Sequence, residues 1–322
     1  MLPIFRPLAL ITAVTTLATA SGVTAATAAT AATAATAARR WNATGHEVIA
    51  SIAWTHLTPQ ARARAVQLLR SGPPEAHLGD AEPSSGSSAD REKALFVHTS
   101  VWADQVKGRT APNHAYDRPV WHYTNYYWRE QNGKIVLVPE LTPDPENALE
   151  RLALLPGVLS SGAPDSTRAV ALAWIEHLVG DVHQPLHLSA RVTAESPKGD
   201  RGGNDLKLAG AQSNLHSYWD GILDVLEKPP AGDRSGYVDG WATKIEKELP
   251  ITAFTKAELE AGPEVWGKES LTLAEELLYP ATLIAGAVPS DAYKTAAGQA
   301  GERRIALAGY RLATVLNRLL AK

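Results

Sequence analysis

His177-Leu-Val-Gly-Asp181-Val-His183-Gln-Pro185-Leu-His187 is the stretch on which the reading of this chain turns. The run from Ala169 to Val182 is apolar enough to be a buried helix, and on a helix residues 177 and 181 stack on one face, one turn apart. Burying a carboxylate there is costly unless it is paired or holds a metal ion. Further on, Asn214-Leu-His216-Ser-Tyr-Trp219-Asp220 repeats the four-residue spacing of imidazole and carboxylate. That ligand set is the one used by catalytic zinc, which keeps an open position for water or substrate. Two such pairs point to more than one ion. His183 lies two residues from Asp181, so it points off the ligand face and reads as structural.

The surrounding chain keeps helical period. Thr44 with Glu47 three residues on makes a capping-box pattern, and Val48, Ile49, Ile52, Ala53 and Leu57 follow with helical spacing. Thr58-Pro59 opens a second helix that stops at Ser71-Gly72-Pro73-Pro74. Residues 79–90, rich in Ser, Gly, Asp and Ala, predict a mobile loop. Six aromatics between Tyr116 and Trp128 predict irregular structure or short strands, and residues 135–138 after Asn132-Gly133 predict a hairpin arm. Residues 147–155, 166–182, 266–278 and 300–320 are helical by pattern. The glycine-rich residues 198–204 read as a loop. Nothing repeats at solenoid periods. The expectation is one predominantly helical domain.

The first forty residues read as an export signal and spacer. Arg6 precedes an apolar stretch from Pro7 to Ala20, and Thr-Ala-Ala then repeats five times from Thr24 to Ala38. Their removal leaves 282 residues, with 28 basic against 34 acidic side chains, a net charge of −6. That is a poor balance for coating polyanions by counterion release. No later segment is long and apolar enough to span a bilayer. There are no cysteines, which excludes disulfides, thiolate zinc sites and cysteine nucleophiles.

Collected in order, the candidate ligands are Trp41, His46, Asp104, His122, His177, Asp181, His187, His216 and Asp220. Here the sequence resembles the zinc-dependent single-strand nucleases of the S-one/P-one type. The matching pieces are Trp41-Asn-Ala-Thr-Gly45-His46, Trp102-Ala-Asp104-Gln-Val-Lys107, His122-Tyr123-Thr-Asn125, His177 through His187, Gly202-Gly203-Asn204, Asn214 through Asp220, and Trp266-Gly-Lys-Glu269-Ser270. They run in order over nearly all of residues 41–285. The resemblance implies a mainly α fold, a single helical domain of the phospholipase C/nuclease P-one type over residues 41–322, with three zinc ions (Zn2+) in one cleft. It would give the first zinc Asp104, His122, His177 and Asp181, and the second His187, His216 and Asp220. The third would take His46, Asp181, and the α-amino group and carbonyl of Trp41. That last assignment requires Trp41 to be the first residue of the mature chain, although Arg39-Arg40 is an unusual place for a signal-peptidase cut.

The resemblance further implies hydrolysis of phosphodiester bonds in single-stranded DNA and RNA to 5′-phosphorylated products, with 3′-nucleotidase activity. Asp104 would orient the attacking water, and Lys107 would stabilise charge on the phosphorus, against the alternative of a solvated surface lysine. Tyr123 and Asn125 stand where the family holds a base, and Asn204 near the second zinc. Many relatives carry an acid where Asn125 stands, so base preference is open. Read without the family, His46 fits a surface histidine and His122 a packed core one. Single-stranded nucleic acid and nucleotides are the expected partners, the chain a monomer exported to a periplasm or the exterior. A zinc-dependent phospholipase C is the competing enzyme, and a non-catalytic zinc-stabilised exported protein the competing class.

Overall fold

The computed structural model describes residues 43–321. The export segment expected over residues 1–40, and Trp41, lie outside them. In chain order the helices are α1 (Ala43–His56), α2 (Pro59–Arg70), α3 (Ser88–Thr99), α4 (Trp102–Gln105), α5 (Ala148–Leu159) and α6 (Asp165–Asp181). They continue with α7 (Leu215–Asp220), α8 (Ile222–Leu226), α9 (Arg234–Glu248), α10 (Lys256–Glu260), α11 (Pro263–Leu273) and α12 (Asp291–Leu320). Three short strands, β1 (Tyr126–Gln131), β2 (Lys134–Leu137) and β3 (Ser189–Arg191), form one small sheet. Among the described residues no helix is long and apolar enough to cross a membrane.

Two helices are covered on every side, and they set the architecture. In α1 every residue from Thr44 to Ala53 is buried, and in α6 every residue from Ala171 to Asp181. A helix closed to water all round must lie in the middle of its domain. The long α12 packs along α1, with α9 and α3 also against α1, while α2 and α5 cover α6. Close approach of α12 depends on Gly309, where an added Cβ would stand 2.6 Å from Cγ2 of Ile52. Both central helices carry polar cargo, His46 on α1 and His177 and Asp181 on α6. The core therefore converges on a buried polar cluster.

The sheet brings a second stretch of chain to that cluster. Asn132 and Gly133 take the left-handed backbone, with φ of 55° and 73°, as a two-residue hairpin turn demands. They pair β1 antiparallel with β2, Trp128 opposite Leu137. β3 runs parallel to β1, Tyr126 opposite Ser189. Just before these strands Thr124 N–H donates to the carbonyl of His187 at 2.8 Å, so the His122 loop and the His187 turn are held side by side.

Four local expectations shift. Helix α1 is already under way at Ala43, and Glu47 turns from a capping box to the guanidinium of Arg234 at 2.5 Å, because a buried carboxylate gains more from a cation than from an amide. The loop over 79–90 is shorter than expected: a 3₁₀ turn covers Leu78–Ala81, and Ser87 caps α3 by accepting from Asp90 N–H. Helix α11 ends at Leu273, and the chain widens into a π turn over Ala274–Leu278. Helix α12 starts nine residues before the predicted position, capped by Ser290, behind an Ala- and Gly-rich stretch that masks the apolar period.

Candidate metal centre

Asp181 stands at the centre of the cluster, 1 % exposed. Its Oδ2 lies 2.9 Å from Nδ1 of His122 and 3.1 Å from Nε2 of His177. Its Oδ1 lies 3.2 Å from Nδ1 of His187 and 3.5 Å from Nε2 of His46. Asp104 reaches in from α4, its Oδ1 3.6 Å from His177 Nε2 and 3.9 Å from His122 Nδ1. On the other side, Asp220 sets Oδ1 3.5 Å from His187 Nε2 and Oδ2 3.5 Å from His216 Nε2. Nitrogen and oxygen ligands about 2.0–2.1 Å from a tetrahedral ion stand roughly 3.3 Å apart. The observed separations bracket that spacing.

The donor set fits divalent ions on a second count. Both ring nitrogens of His46, Nε2 of His187 and Oδ2 of Asp220 are buried and lack a hydrogen-bond partner among the described residues. Each orphaned polar atom costs on the order of 1–3 kcal/mol, and these belong to residues gathered in one cluster. Three groups have the proximity needed to hold an ion: His122, His177 and Asp181; His187, His216 and Asp220; and His46, Asp104 and His177.

The protein fixes which nitrogen each ring presents. Nδ1 of His177 faces the carbonyl of Ser100 at 2.7 Å, Nδ1 of His187 that of His122 at 2.9 Å, and Nδ1 of His216 that of Gly202 at 2.7 Å. A carbonyl only accepts, so Nδ1 carries a proton in each ring and Nε2 is the nitrogen left to face the carboxylates, the arrangement of metal-ligating histidines. Gln184 performs the same service for Asp220, donating from Nε2 to Oδ1 at 2.6 Å. Sequence reasoning missed these partners. Backbone carbonyls carry no residue signature, and Gln184 stands 36 positions from the group it holds.

Electrostatics follow the geometry. Burial would raise the carboxyl of Asp181, but the surrounding His177, His187 and His122 hold it well below the usual carboxylate range. Burial opposes charge on His187, and the carboxylates of Asp181 and Asp220 outweigh it, lifting the ring to about 10. His122, desolvated and near the Lys107 ammonium, falls to about 3. The negative charge of three carboxylates is thus gathered where cations would sit.

Backbone shape is matched to the cluster at two glycines. A Cβ at Gly180 would meet His46 Nδ1 at 2.5 Å, so α1 and α6 approach closely enough to stack His46 on His177, ring centroids 4.0 Å apart. Gly202 has φ +61°, and a Cβ there would overlap the carbonyl oxygen of Leu186. Helix α7, which carries His216 and Asp220, opens with a capping box between Asn214 and Ser217.

The remaining expected site residues line a cleft of about 400 Å³ above the cluster, with Lys107, Tyr123, Asn125, Asn204, His187 and His216 in its wall. Lys107 is no freely solvated side chain; its Nζ bonds Asp104 Oδ1 at 2.5 Å and it is only 15 % exposed. The Tyr123 hydroxyl donates to Asp144 at 3.2 Å, and burial, then Asp144, raises it to about 12. Asn204 spends Nδ2 on the carbonyl of Arg201 at 2.8 Å. His183 sits on the far side of its helix end, donating from Nδ1 to Val179 and accepting from Arg311. His56, His77, His98 and His114 make contacts outside the cluster. Of the expected ligands, only Trp41 cannot be placed, being outside the described residues.

Comparison with known proteins bears on this centre. The family model described as S1/P1 nuclease matches residues 41–321. The chain is 26 % identical to Endonuclease 2 of Arabidopsis thaliana over 297 residues, covering 87 % of this chain and 90 % of the relative. It is 22 % identical to Nuclease P1 of Penicillium citrinum over 310 residues, 87 % of this chain and 97 % of the relative. It is also 28 % identical to Nuclease S1 of Aspergillus oryzae over 174 residues, covering 48 % and 56 %.

Proposed function

The chain belongs to the S1/P1 nuclease family, and from that premise we propose that it is an exported, monomeric, zinc-dependent endonuclease of single-stranded DNA and RNA. Its products carry 5′-phosphates, and it also acts as a 3′-nucleotidase. The observation that carries the reading is the convergence of three carboxylates and five imidazoles on one buried cluster at the floor of an open cleft. Asp104, His122, His177 and Asp181 would hold one zinc, and His187, His216 and Asp220 a second. His46 and Asp181 would share a third with the terminal amine and carbonyl of Trp41. Bound zinc supplies Lewis-acid neutralisation of phosphate oxygens and lowers the pKa of water.

The chain's own residues do the rest. Asp104, held by the Lys107 ammonium, would orient the attacking water from the cluster edge. Lys107 also presents positive charge to the phosphate, where charge develops as the bond to the leaving oxygen lengthens. Tyr123 offers a ring face on which an unpaired base stacks, its hydroxyl pinned by Asp144. Asn125 can both donate to and accept from a base edge. Asn204 keeps its amide oxygen for substrate.

Two measurements test this reading. Denatured DNA, RNA and 3′-mononucleotides should be hydrolysed at least about tenfold faster than intact duplex, since stacking on Tyr123 requires an exposed base face. Good cleavage of phosphatidylcholine with none of single-stranded DNA would make the protein a phospholipase. Metal that raises the melting temperature while every phosphodiester stays intact would make it a non-catalytic zinc protein. The second measurement concerns the terminus. A mature chain starting at Trp41 offers an amine and carbonyl to the third zinc, whereas one extended by methionine offers only an amide nitrogen. The extended form should bind two zinc ions per chain and lose most of its rate. Full activity with three tight ions on the extended form would remove Trp41 from the site.

A further inference from the structure

The cleft wall carries a second basic side chain besides Lys107. It is Arg201, in the turn before Gly202-Gly203-Asn204. We propose that Arg201 is a positioning residue for polynucleotide substrates, gripping a backbone phosphate next to the one being cleaved. The proposal rests on the nuclease reading above and deepens it.

Three observations carry it. First, Arg201 is 72 % exposed, whereas Lys107 is committed to Asp104 and 15 % exposed. Its Nε and Nη2 both donate to a single oxygen, Oδ1 of Asp205, at 3.1 and 2.6 Å. A guanidinium has five N–H donors, so donors remain beyond this contact on a side chain that lines the cleft. The Asp205 contact aims the head more than it stabilises the fold, since exposed ion pairs contribute little.

Second, the backbone under Arg201 is costly for this residue type. Its φ is +54°, a conformation that suits Gly or Asn better than Arg. Asn204, three residues on, donates Nδ2 back to the carbonyl of Arg201 and keeps the turn in place. An arginine at a position that favours glycine implies that the side chain is wanted there.

Third, the turn is anchored on both sides. Asp200 is 4 % exposed and accepts from Arg191 N–H at 2.9 Å and from the Tyr279 hydroxyl at 2.8 Å. On the other flank the carbonyl of Gly202 takes the Nδ1 proton of His216. Arg201 thus projects from a turn tied directly to a residue of the metal cluster. In an acidic chain with net charge −3, a polyanion needs such local positive groups at the cleft.

The test compares a dinucleoside monophosphate, whose only phosphate is the scissile one, with a single-stranded decanucleotide, using the zinc-loaded mature enzyme that begins at Trp41. Arg201→Ala should raise KM for the decanucleotide about tenfold, the scale of one hydrogen bond to a charged group, with kcat little changed. The slope of log(kcat/KM) against log salt should shrink by about 0.7. Hydrolysis of the dinucleoside monophosphate should stay at the wild-type level. Arg201→Lys, which keeps the charge, should recover most of the salt slope. Equal losses on both substrates would make Arg201 a structural support of the turn, and no loss on either would make it a surface residue; both overturn the proposal. A wild-type enzyme that leaves both substrates intact overturns the nuclease reading itself.

Discussion

Asp181→Ala should abolish function and strip metal. Activity on single-stranded DNA should fall on the order of 10³-fold or more, as when preorganised charge is removed from a catalytic centre. Bound zinc should drop by more than one ion per chain. The basis is geometric, because Asp181 has oxygens within 3.5 Å of four imidazoles, those of His46, His122, His177 and His187. A carboxylate can bridge two ions with its two oxygens, and a neutral imidazole cannot. His183→Ala is the matched control. It removes a buried histidine two residues away whose ring faces Val179 and Arg311, so it should melt earlier yet keep its zinc. Metal analysis of the two purified variants beside wild type decides the matter, and equal loss in both would mean that Asp181 is not the shared ligand.

The part of this centre that spacing alone discloses is the part set along one helix, and the other candidate ligands come from the family resemblance. His177 with Asp181, and His216 with Asp220, are one turn apart wherever the helix goes, and both pairs meet at 3.1 and 3.5 Å. The hairpin at Asn132-Gly133 was legible for a similar reason, since left-handed φ values at both positions are a local demand. What escaped were relations between distant segments. The carbonyls that orient His177, His187 and His216 belong to residues 77, 65 and 14 positions away. The capping-box pattern at Thr44 misled because it describes a local option for the buried Glu47, and the Arg234 guanidinium on α9 outcompetes it. Arg201 was passed over inside a glycine-rich loop, where nothing in the sequence says that the turn opens on the cleft.

Glu269→Ala should be the most destabilising change remote from the candidate metal centre. The resemblance marked Trp266 through Ser270 as a shared motif without giving it a task, and the structure supplies one. Glu269 Oε2 accepts from Arg304 Nη1 at 2.5 Å and from Arg311 Nη1 at 2.8 Å, and Oε1 from Arg311 Nη2 at 2.7 Å. The two guanidinium side chains are 6 % and 0 % exposed. Removing the one carboxylate leaves two buried cations facing each other, a loss of about 3–5 kcal/mol, or roughly 10 °C in melting temperature for a domain of this size. The pH dependence fixes the sign. Burial works to raise the Glu269 carboxyl, but Arg311 and Arg304 outweigh it and hold it below its ordinary value. A carboxyl with a lowered folded value contributes stability that is complete above the unfolded value, about 4.3, and fades as pH falls through the folded one. The gap between wild type and Glu269→Ala should therefore be constant from neutral pH down to about 5 and close in stronger acid. Glu269→Gln, which keeps the shape and can still accept hydrogen bonds, should lose less. The consequence reaches the site because Arg304 also donates to the carbonyl of His183 at 3.0 Å and Arg311 to its ring. These contacts lock α12 onto the turn that leads from Asp181 to His187. Melting curves across that pH range check the account, and a variant that melts within about 2 °C of wild type at neutral pH would show that the buried arginines find another counter-charge.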